Sequence, residues 1–272
     1  MRSAVDGVLT GVKPPAFFLL AAAWAAIAVP VWLTAYVHGY APRGPLPALF
    51  WHGHEMVFGF GLAAVAGFLP LRGVPLALLA LLWLAGRVAM LVPGAALLDL
   101  AFPAALIAVV ARELIAGRDW RNLPMLAALA LLFAGNLLFH LGFYAGLWLG
   151  IATLCMLIAL PAPGEPLRFV LRLGYAWLAF GLILLGLDLP GALHAVTVGA
   201  IGTMTLAAMT RATPGHAGAT LAICLLVTLA AVLRVASAFA GAQAVVLTSL
   251  AGVAWSAAFA ALVLRYLIAR VR

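Results

Sequence analysis

Charged side chains are scarce in this sequence: 8% of its 272 residues are Asp, Glu, Lys or Arg, whereas 67% are hydrophobic. A soluble domain needs far more polar surface to cover its core, so this composition excludes an ordinary soluble fold. The 15 basic residues outnumber the 7 acidic ones, but they lie singly or in small groups between apolar runs. That pattern forms no basic patch, so we expect no nucleic-acid partner.

Cysteine is almost absent. Cys155 and Cys224 lie far apart inside apolar runs, which excludes a disulfide framework and a CxxC metal site. The N-terminal region lacks a signal-peptide pattern, because its first apolar stretch is full length and has no small-residue cleavage site. No linker is long enough to separate domains, and no internal repeat stands out. We therefore expect one transmembrane domain over residues 1–272 and no inverted-repeat transporter.

Long apolar runs fill the chain instead. Only helices fit them, because backbone groups in lipid must pair within the segment and the runs lack the alternation of a barrel. The sequence therefore predicts an all-α, polytopic bundle of about ten spans in a lipid bilayer. The predicted spans lie near residues 17–37, 51–70, 74–92, 96–116, 121–141, 143–160, 168–187, 191–210, 218–239 and 244–268.

The basic residues orient these spans. If the N-terminus is cytoplasmic, Arg43 is the one basic residue in an outer loop. Arg87 and Arg234 lie within spans, and all the other basic residues fall on the cytoplasmic side. The positive-inside rule therefore predicts that both termini are cytoplasmic. The cytoplasmic set is Arg2, Lys13, Arg72, Arg112, Arg118, Arg121, Arg168, Arg172, Arg211, Arg265, Arg270 and Arg272.

This topology gathers four histidines in the outer leaflet. His52 and His54 lie at the outer end of predicted helix 2, His140 at the outer end of helix 5, and His194 in the first turn of helix 8. Imidazole is a ligand for iron, copper and zinc, so we expect one metal or haem site there. The two remaining histidines, His38 in an outer loop and His216 on the inner side, are read as interfacial residues.

The densest polar cluster is the segment Trp51-His52-Gly53-His54-Glu55-Met56. If it is helical, His52, Glu55 and Met56 share a face and His54 points away from them. If it is extended, His52 and His54 point the same way and could bind one metal together. A nearby thioether favours copper(I) or haem iron, and a carboxylate is favoured near a helix N-terminus.

Two arginines lie within predicted spans. A buried charge in a membrane is costly and is normally paired, although long side chains can instead snorkel to the interface. Arg87 and Arg234 could be balanced by an acidic side chain of the same leaflet or by the propionates of a haem. The acidic candidates are Glu55, Asp99 and Asp188. Asn136 lies four residues before His140 on the same helix face and could orient it.

Several stretches resemble the NnrS family, membrane proteins associated with the bacterial response to nitric oxide. The most specific are Phe50-Trp51-His52-Gly53-His54-Glu55-Met56 and His194-Ala195-Val196-Thr197-Val198-Gly199. The others are Ala85-Gly86-Arg87-Val88-Ala89-Met90, Trp120-Arg121-Asn122-Leu123-Pro124 and Asn136-Leu137-Leu138-Phe139-His140. Family members are usually longer, and a middle segment with a Gly-Gly-Arg-Val-Ile-Pro-like motif is missing between predicted helices 6 and 7.

The resemblance implies a haem of the b type and copper as a second metal. His54 and His194 are then the expected axial ligands, with Arg87 and Arg234 neutralising the propionates. His52, His140 and Glu55 are expected to form a second metal or proton-handling site beside the haem. Together these residues make up the predicted cofactor and metal site.

Two classes of function remain open from the sequence. The first is a haem-binding protein of the bacterial inner membrane that relieves or senses nitric oxide stress, with quinol as the natural electron donor if it turns over as an oxidoreductase. The second is a non-enzymatic carrier or chaperone that hands haem or copper to other enzymes. A small-solute transporter is disfavoured, because the sequence lacks repeats and broken-helix pairs.

Overall fold

The computed structural model describes residues 16–39, 44, 46–69, 71, 76–118, 120–158, 168–212 and 217–271. Within these ranges every regular element is a helix. This agrees with a chain whose long apolar runs must satisfy their backbone groups internally. The predicted all-α class is therefore confirmed.

Ten helical stretches follow one another along the described parts of the chain, one for each predicted span. They are α1 (Ala16–His38), α2 (48–67), α3 (Leu76–Ala89), α4 (Ala96–Gly117), α5 (Trp120–His140), α6 (Ala145–Ile158), α7 (Arg168–Gly186), α8 (Ala192–Arg211), α9 (Ala217–Ser237) and α10 (241–271). Seven of them are long and apolar enough to cross a membrane, namely α1, α4, α5, α7, α8, α9 and α10.

The other three helices are not among those long and apolar enough to cross a membrane by this criterion. Helices α3 and α6 are apolar but shorter, and α2 carries His52, His54 and Glu55. The protein is thus a multi-pass membrane protein. The count of about ten spans and the cytoplasmic location of both termini stay predictions.

Two of the helices are not regular α-helices throughout. A π-helical segment occupies Glu55–Gly61 of α2, and another occupies Ala195–Gly202 of α8. Helices α4 and α10 each open with a 3-10 turn, over Ala96–Leu100 and Gly241–Gln243. Because π-helices are rare and concentrate at functional sites, the two π-segments direct attention to the histidines just before them.

The chain divides into two compact units. The first comprises residues 16–21 and 34–157, and the second comprises residues 22–33 and 158–271. Helices α2 to α6 belong to the first unit and α7 to α10 to the second, while α1 contributes to both. The single domain expected from the sequence stays a prediction.

In the first unit, glycines bring helices close together. At the turn between α5 and α6, Gly142 adopts φ +87°, a conformation that favours glycine. Gly135 and Gly146 then face each other, and a Cβ on Gly135 would lie 2.7 Å from the Gly146 carbonyl oxygen. A Cβ on Gly150 of α6 would lie 2.8 Å from Phe58, so α6 packs directly against the π-segment of α2.

In the second unit, glycines leave space for large aromatic side chains to pack against the helix backbone. The ring of Trp177 covers Gly199, and the ring of Trp255 covers Gly202, where an added Cβ would come within 2.7 Å of either side chain. Trp255 also donates a hydrogen bond from Nε1 to the Ala25 carbonyl oxygen at 3.0 Å. Close helix packing is therefore the role of both glycines.

Candidate metal centre

His54 is the centre of a buried polar cluster in the first unit. It ends the α-helical part of α2, and its side chain is 0% exposed. Its Nδ1 lies 3.2 Å from Glu55 Oε1, and its Nε2 lies 3.0 Å from Asn136 Oδ1 and 3.1 Å from Asp99 Oδ2. Both ring nitrogens thus face oxygen acceptors. Either an imidazolium with two N–H donors or a cation beside Nε2 satisfies such an arrangement.

Arg87 joins the two carboxylates of the cluster. It lies in the last turn of α3, and its guanidinium donates from Nη1 to Glu55 Oε2 at 2.5 Å and from Nη2 to Asp99 Oδ1. The side chain is 3% exposed. Of the alternatives that the sequence leaves open for Arg87, the structure shows pairing with acidic side chains, Glu55 and Asp99, and not snorkelling. Charge-assisted pairs of this kind are among the strongest hydrogen bonds in proteins.

Asp99 reaches the cluster because of two local features. It lies in the 3-10 turn that opens α4, and it packs beside Gly86 of α3. A Cβ on Gly86 would lie 2.7 Å from Asp99 Oδ1, so a glycine is needed there for the carboxylate to fit. The short turn and the missing side chain together bring Asp99 between Arg87 and His54.

Helix α5 closes the cluster with two side chains one turn apart. Asn136 donates from Nδ2 to Asp99 Oδ2 at 2.7 Å. His140, whose side chain is 3% exposed, places its Nε2 3.5 Å from the same Asp99 oxygen. The expected shared face of Asn136 and His140 is confirmed. The Asn136 amide, however, does not orient His140, because its Oδ1 contacts His54 and its Nδ2 donates to Asp99.

Three donor atoms of this cluster meet the distance requirement of a metal ion. One atom each from His54, Asp99 and His140 lies within 4.8 Å of the others. With neutral histidines, the carboxylates of Glu55 and Asp99 outnumber the single guanidinium by one charge. In a buried site an excess negative charge is strongly unfavourable, and either a proton on one histidine or a bound cation would offset it.

The packing around His54 fits an ion better than a macrocycle. Its ring centroid lies 5.4 Å from that of Phe58, 5.5 Å from that of Phe139 and 5.1 Å from that of His140. Both ring nitrogens of His54 have protein partners, and aromatic or imidazole rings lie around it. The axial role expected for His54 is untested, whereas the donor set around it suits a bare metal ion.

One expectation about α2 requires correction. The segment is α-helical over Ala48–His54, as in the helical alternative, yet His54 does not point away from Glu55. Their side chains meet, because Glu55 begins the π-segment, where the 100° step of an α-helix no longer holds, and both side chains turn towards Arg87 and Asp99. His52 is half-buried and is not one of the three clustered donors.

The remaining predicted site residues lie elsewhere. His194, the residue before the second π-segment, is half-buried in the second unit, as is Arg234, whose Nη1 donates to Ser237 Oγ at 2.9 Å. Their expected place in one constellation with His52, His54 and His140 stays a prediction. His38 is exposed, in line with an interfacial residue, and His216 lies outside the described residues.

Sequence reasoning missed Asp99 as a ligand candidate. It was expected only as a counter-ion for Arg87. The signal in the sequence was an acidic residue within an apolar run, five residues after the turn glycine Gly94. An acidic side chain in such a run is costly in lipid and therefore marks a functional position.

The helices and the buried cluster together define a multi-pass membrane protein with a charged, histidine-containing site inside its helical bundle. The chain matches the family described as NnrS protein over residues 16–163 and 159–272. It belongs to the NnrS family. No curated protein and no solved structure matches it.

Proposed function

We propose that the protein is a membrane metalloprotein in which His54, Asp99 and His140 hold a metal ion. The observation that carries the proposal is the meeting of three donors from α2, α4 and α5 within 4.8 Å inside the first unit. Chance rarely brings three such side chains together in an apolar bundle, where each is costly unless it serves a partner.

The donor set indicates the class of metal. Two imidazoles and a carboxylate suit a divalent transition ion such as iron(II), copper(II) or zinc. Three protein ligands leave coordination positions open, as in metal sites that bind a substrate. A small apolar molecule such as nitric oxide could reach such a position through the bilayer without a soluble domain.

The residues around the three ligands would prepare them for the ion. Glu55 lies at His54 Nδ1, which would keep the proton on that nitrogen and leave Nε2 to the metal. Arg87 holds Asp99 Oδ1, which leaves Oδ2 directed towards both histidines. In metal sites such supporting contacts orient the ligands and raise their affinity for the ion.

The role in nitric oxide stress is proposed from membership of the NnrS family. The same membership supports a bacterial inner-membrane location and a bound haem, with quinol as electron donor if the protein turns over. Because His54 and Arg87 belong to the buried cluster, we assign any haem to the other predicted residues, His194 and Arg234. A bound haem would supply an iron that binds nitric oxide.

Complete burial argues against the alternative of a carrier that hands on its metal. The side chains of the three proposed ligands are 0% (His54), 2% (Asp99) and 3% (His140) exposed. A carrier needs ligands that an acceptor protein can reach, whereas these three side chains lie inside the bundle. A resident ion therefore fits the site better than a transient one.

Metal analysis of the detergent-purified full chain tests the proposal. The wild-type protein and His38→Ala, which removes an exposed histidine, should retain the metal, and His140→Ala should lose it. Addition of nitric oxide should change the electron paramagnetic resonance signal of the non-haem metal in the first two samples only, whereas the signal of any haem should change in all three. Equal metal content in all three proteins would refute the site, and retained metal without a nitric oxide response would refute the functional role.

A further inference from the structure

Acidic residues are nearly absent from the second unit. From Arg168 to the C-terminus the sequence has seven arginines and one acidic residue, Asp188. Asp188 is exposed and lies just after the end of α7, whereas α7 begins at Arg168. This part of the chain therefore carries a net positive charge, and its one carboxylate lies at the opposite end of α7 from the first arginine.

The arginines gather where helices of the unit begin or end. Helices α7 and α8 are joined by the short turn 187–191 and run antiparallel, with Met204 of α8 packed against Gly174 of α7. The start of α7 therefore lies beside the end of α8. Arg172 belongs to the second turn of α7 and is exposed, and Arg211 is the last residue of α8 and is half-buried.

Arg265 of α10 joins the ends of two further helices at this place. Its Nη1 donates to Thr220 Oγ1, in the first turn of α9, at 2.7 Å. Its Nη2 donates to the carbonyl oxygen of Thr210, the residue before Arg211, at 3.4 Å. The guanidinium of Arg265 is thus held against the last turn of α8. We refer to Arg172, Arg211 and Arg265 together as the basic end of the second unit.

Positive charges on adjoining helix ends favour an anion beside them. Like charges repel, and the repulsion is stronger at the edge of a bilayer than in water because the dielectric constant is lower. A guanidinium also presents its N–H donors in a planar fork that matches a phosphate or a carboxylate. The basic end therefore has the charge and the donor groups for an oxyanion such as a phosphate.

The basic end lies at the level of the lipid headgroups. Each of α7, α8, α9 and α10 is long and apolar enough to cross a membrane, so the ends of these helices reach the polar boundary of the bilayer. Beside Arg265, Leu264 and Ile268 are 59% and 47% exposed, which leaves an apolar surface next to the charge. A phosphate joined to acyl chains matches both features, whereas a soluble phosphate matches only the charge.

We propose that the basic end binds an anionic phospholipid, with its phosphate at Arg211 and Arg265 and its acyl chains along the apolar surface of α10. The orientation predicted from the sequence puts this end on the cytoplasmic side, where each basic residue strengthens the binding of anionic lipid by a factor of about five. The inference goes beyond the proposed metal site and does not depend on it, because all three arginines belong to the second unit.

Lipid titration of the detergent-purified full chain tests the proposal. Phosphatidylglycerol and phosphatidylcholine with the same acyl chains are compared by native mass spectrometry. We expect the wild-type protein to bind the anionic lipid at least about fivefold more tightly. Glycerol phosphate, which has the phosphate but no acyl chains, should not displace this lipid at equal concentration. A preference for neither lipid, or displacement by glycerol phosphate, would overturn the proposal.

Substitutions locate the bound lipid. Arg265→Gln and Arg211→Gln should each weaken phosphatidylglycerol binding about fivefold, because each removes one positive charge from the site. Arg265→Lys should retain most of the affinity, since the charge remains. The control is Arg112→Gln, which removes an exposed arginine of the first unit that pairs with Glu113 at 2.9 Å. That variant should bind phosphatidylglycerol as tightly as the wild-type protein does.

The outcome decides between this site and a general attraction of anionic lipid to basic residues. If Arg112→Gln weakens binding as much as Arg211→Gln, or if both glutamine substitutions at the basic end leave binding unchanged, the proposal is wrong. If Arg265→Gln does not fold, because Arg265 also holds the ends of α8 and α9 together, Arg211→Gln decides alone. Metal content, measured in the same samples, should stay constant, since none of these residues belongs to the proposed metal centre.

Discussion

Trp83 of α3 donates a hydrogen bond from Nε1 to the carbonyl oxygen of Gly59, inside the π-segment of α2, at 3.1 Å. One turn later in α3 and one turn earlier in α2, Arg87 meets Glu55. The two contacts therefore lie one helical turn apart between two antiparallel helices, α2 and α3. The indole therefore holds the register in which the guanidinium reaches both carboxylates of the cluster.

Replacement of Trp83 by phenylalanine should destabilise the protein and loosen the metal. The change keeps an aromatic ring but removes one of the two hydrogen bonds to the buried Gly59 carbonyl oxygen, which also accepts from the Leu62 N–H, and the loss costs about 0.5–1.5 kcal/mol. Thermal melting in detergent and metal affinity measure the two effects. Trp148→Phe, at an indole that is 50% exposed, is the matched control and should change neither. Equal effects of the two variants would contradict the register role of Trp83.

Removal of the Arg87 charge should be among the most damaging single changes in the first unit. Arg87→Leu leaves Glu55 and Asp99 buried without their counter-ion, which costs about 3–5 kcal/mol. The comparison is Arg112→Leu, which breaks an exposed ion pair with Glu113 that contributes at most about 1 kcal/mol. Chemical denaturation in detergent measures both. A small effect at Arg87 would show that the buried pairing contributes little.

A single methyl group should disturb the metal centre. Gly86→Ala places a Cβ 2.7 Å from Asp99 Oδ1, so the carboxylate must move away from Arg87 and His54. We expect a loss of about 1–3 kcal/mol in stability, as for other overpacked sites, together with weaker metal binding. Gly117→Ala in α4 meets nothing within 4 Å and is the control. Unchanged metal affinity in Gly86→Ala would mean that Asp99 is not held where the ion binds.

The orientation predicted from the basic residues is tested by reporter fusions. Fusions after Arg43 and after Arg118 should report opposite sides of the membrane, with Arg118 cytoplasmic. The expectation rests on the bias of loop arginines and lysine towards one side. Both reporters on the same side would rule out this topology.

The helices were predictable because hydropathy in lipid is a strong, local signal. Each apolar run became one helix, and the helix ends lie within about three residues of the predicted bounds. The pairing of Arg87 with an acidic side chain followed from the cost of burying a lone charge.

The contacts of His54 were not predictable in the same way. The α-helical periodicity that separates His54 from Glu55 is interrupted by the π-segment, which carries no clear sequence signature. The approach of Asp99 depends on a 3-10 turn and on the space left by Gly86, both of which are properties of the packed helices.

X-ray absorption at the metal edge is the decisive measurement for this metal centre, because it counts and identifies the ligands of the bound ion. For the wild-type protein we expect nitrogen and oxygen ligands at about 2.0–2.2 Å, with the scattering pattern of two imidazoles. His140→Ala should show one imidazole or no bound metal. Sulfur ligands, or an unchanged two-imidazole spectrum in His140→Ala, would contradict a centre formed by His54, Asp99 and His140.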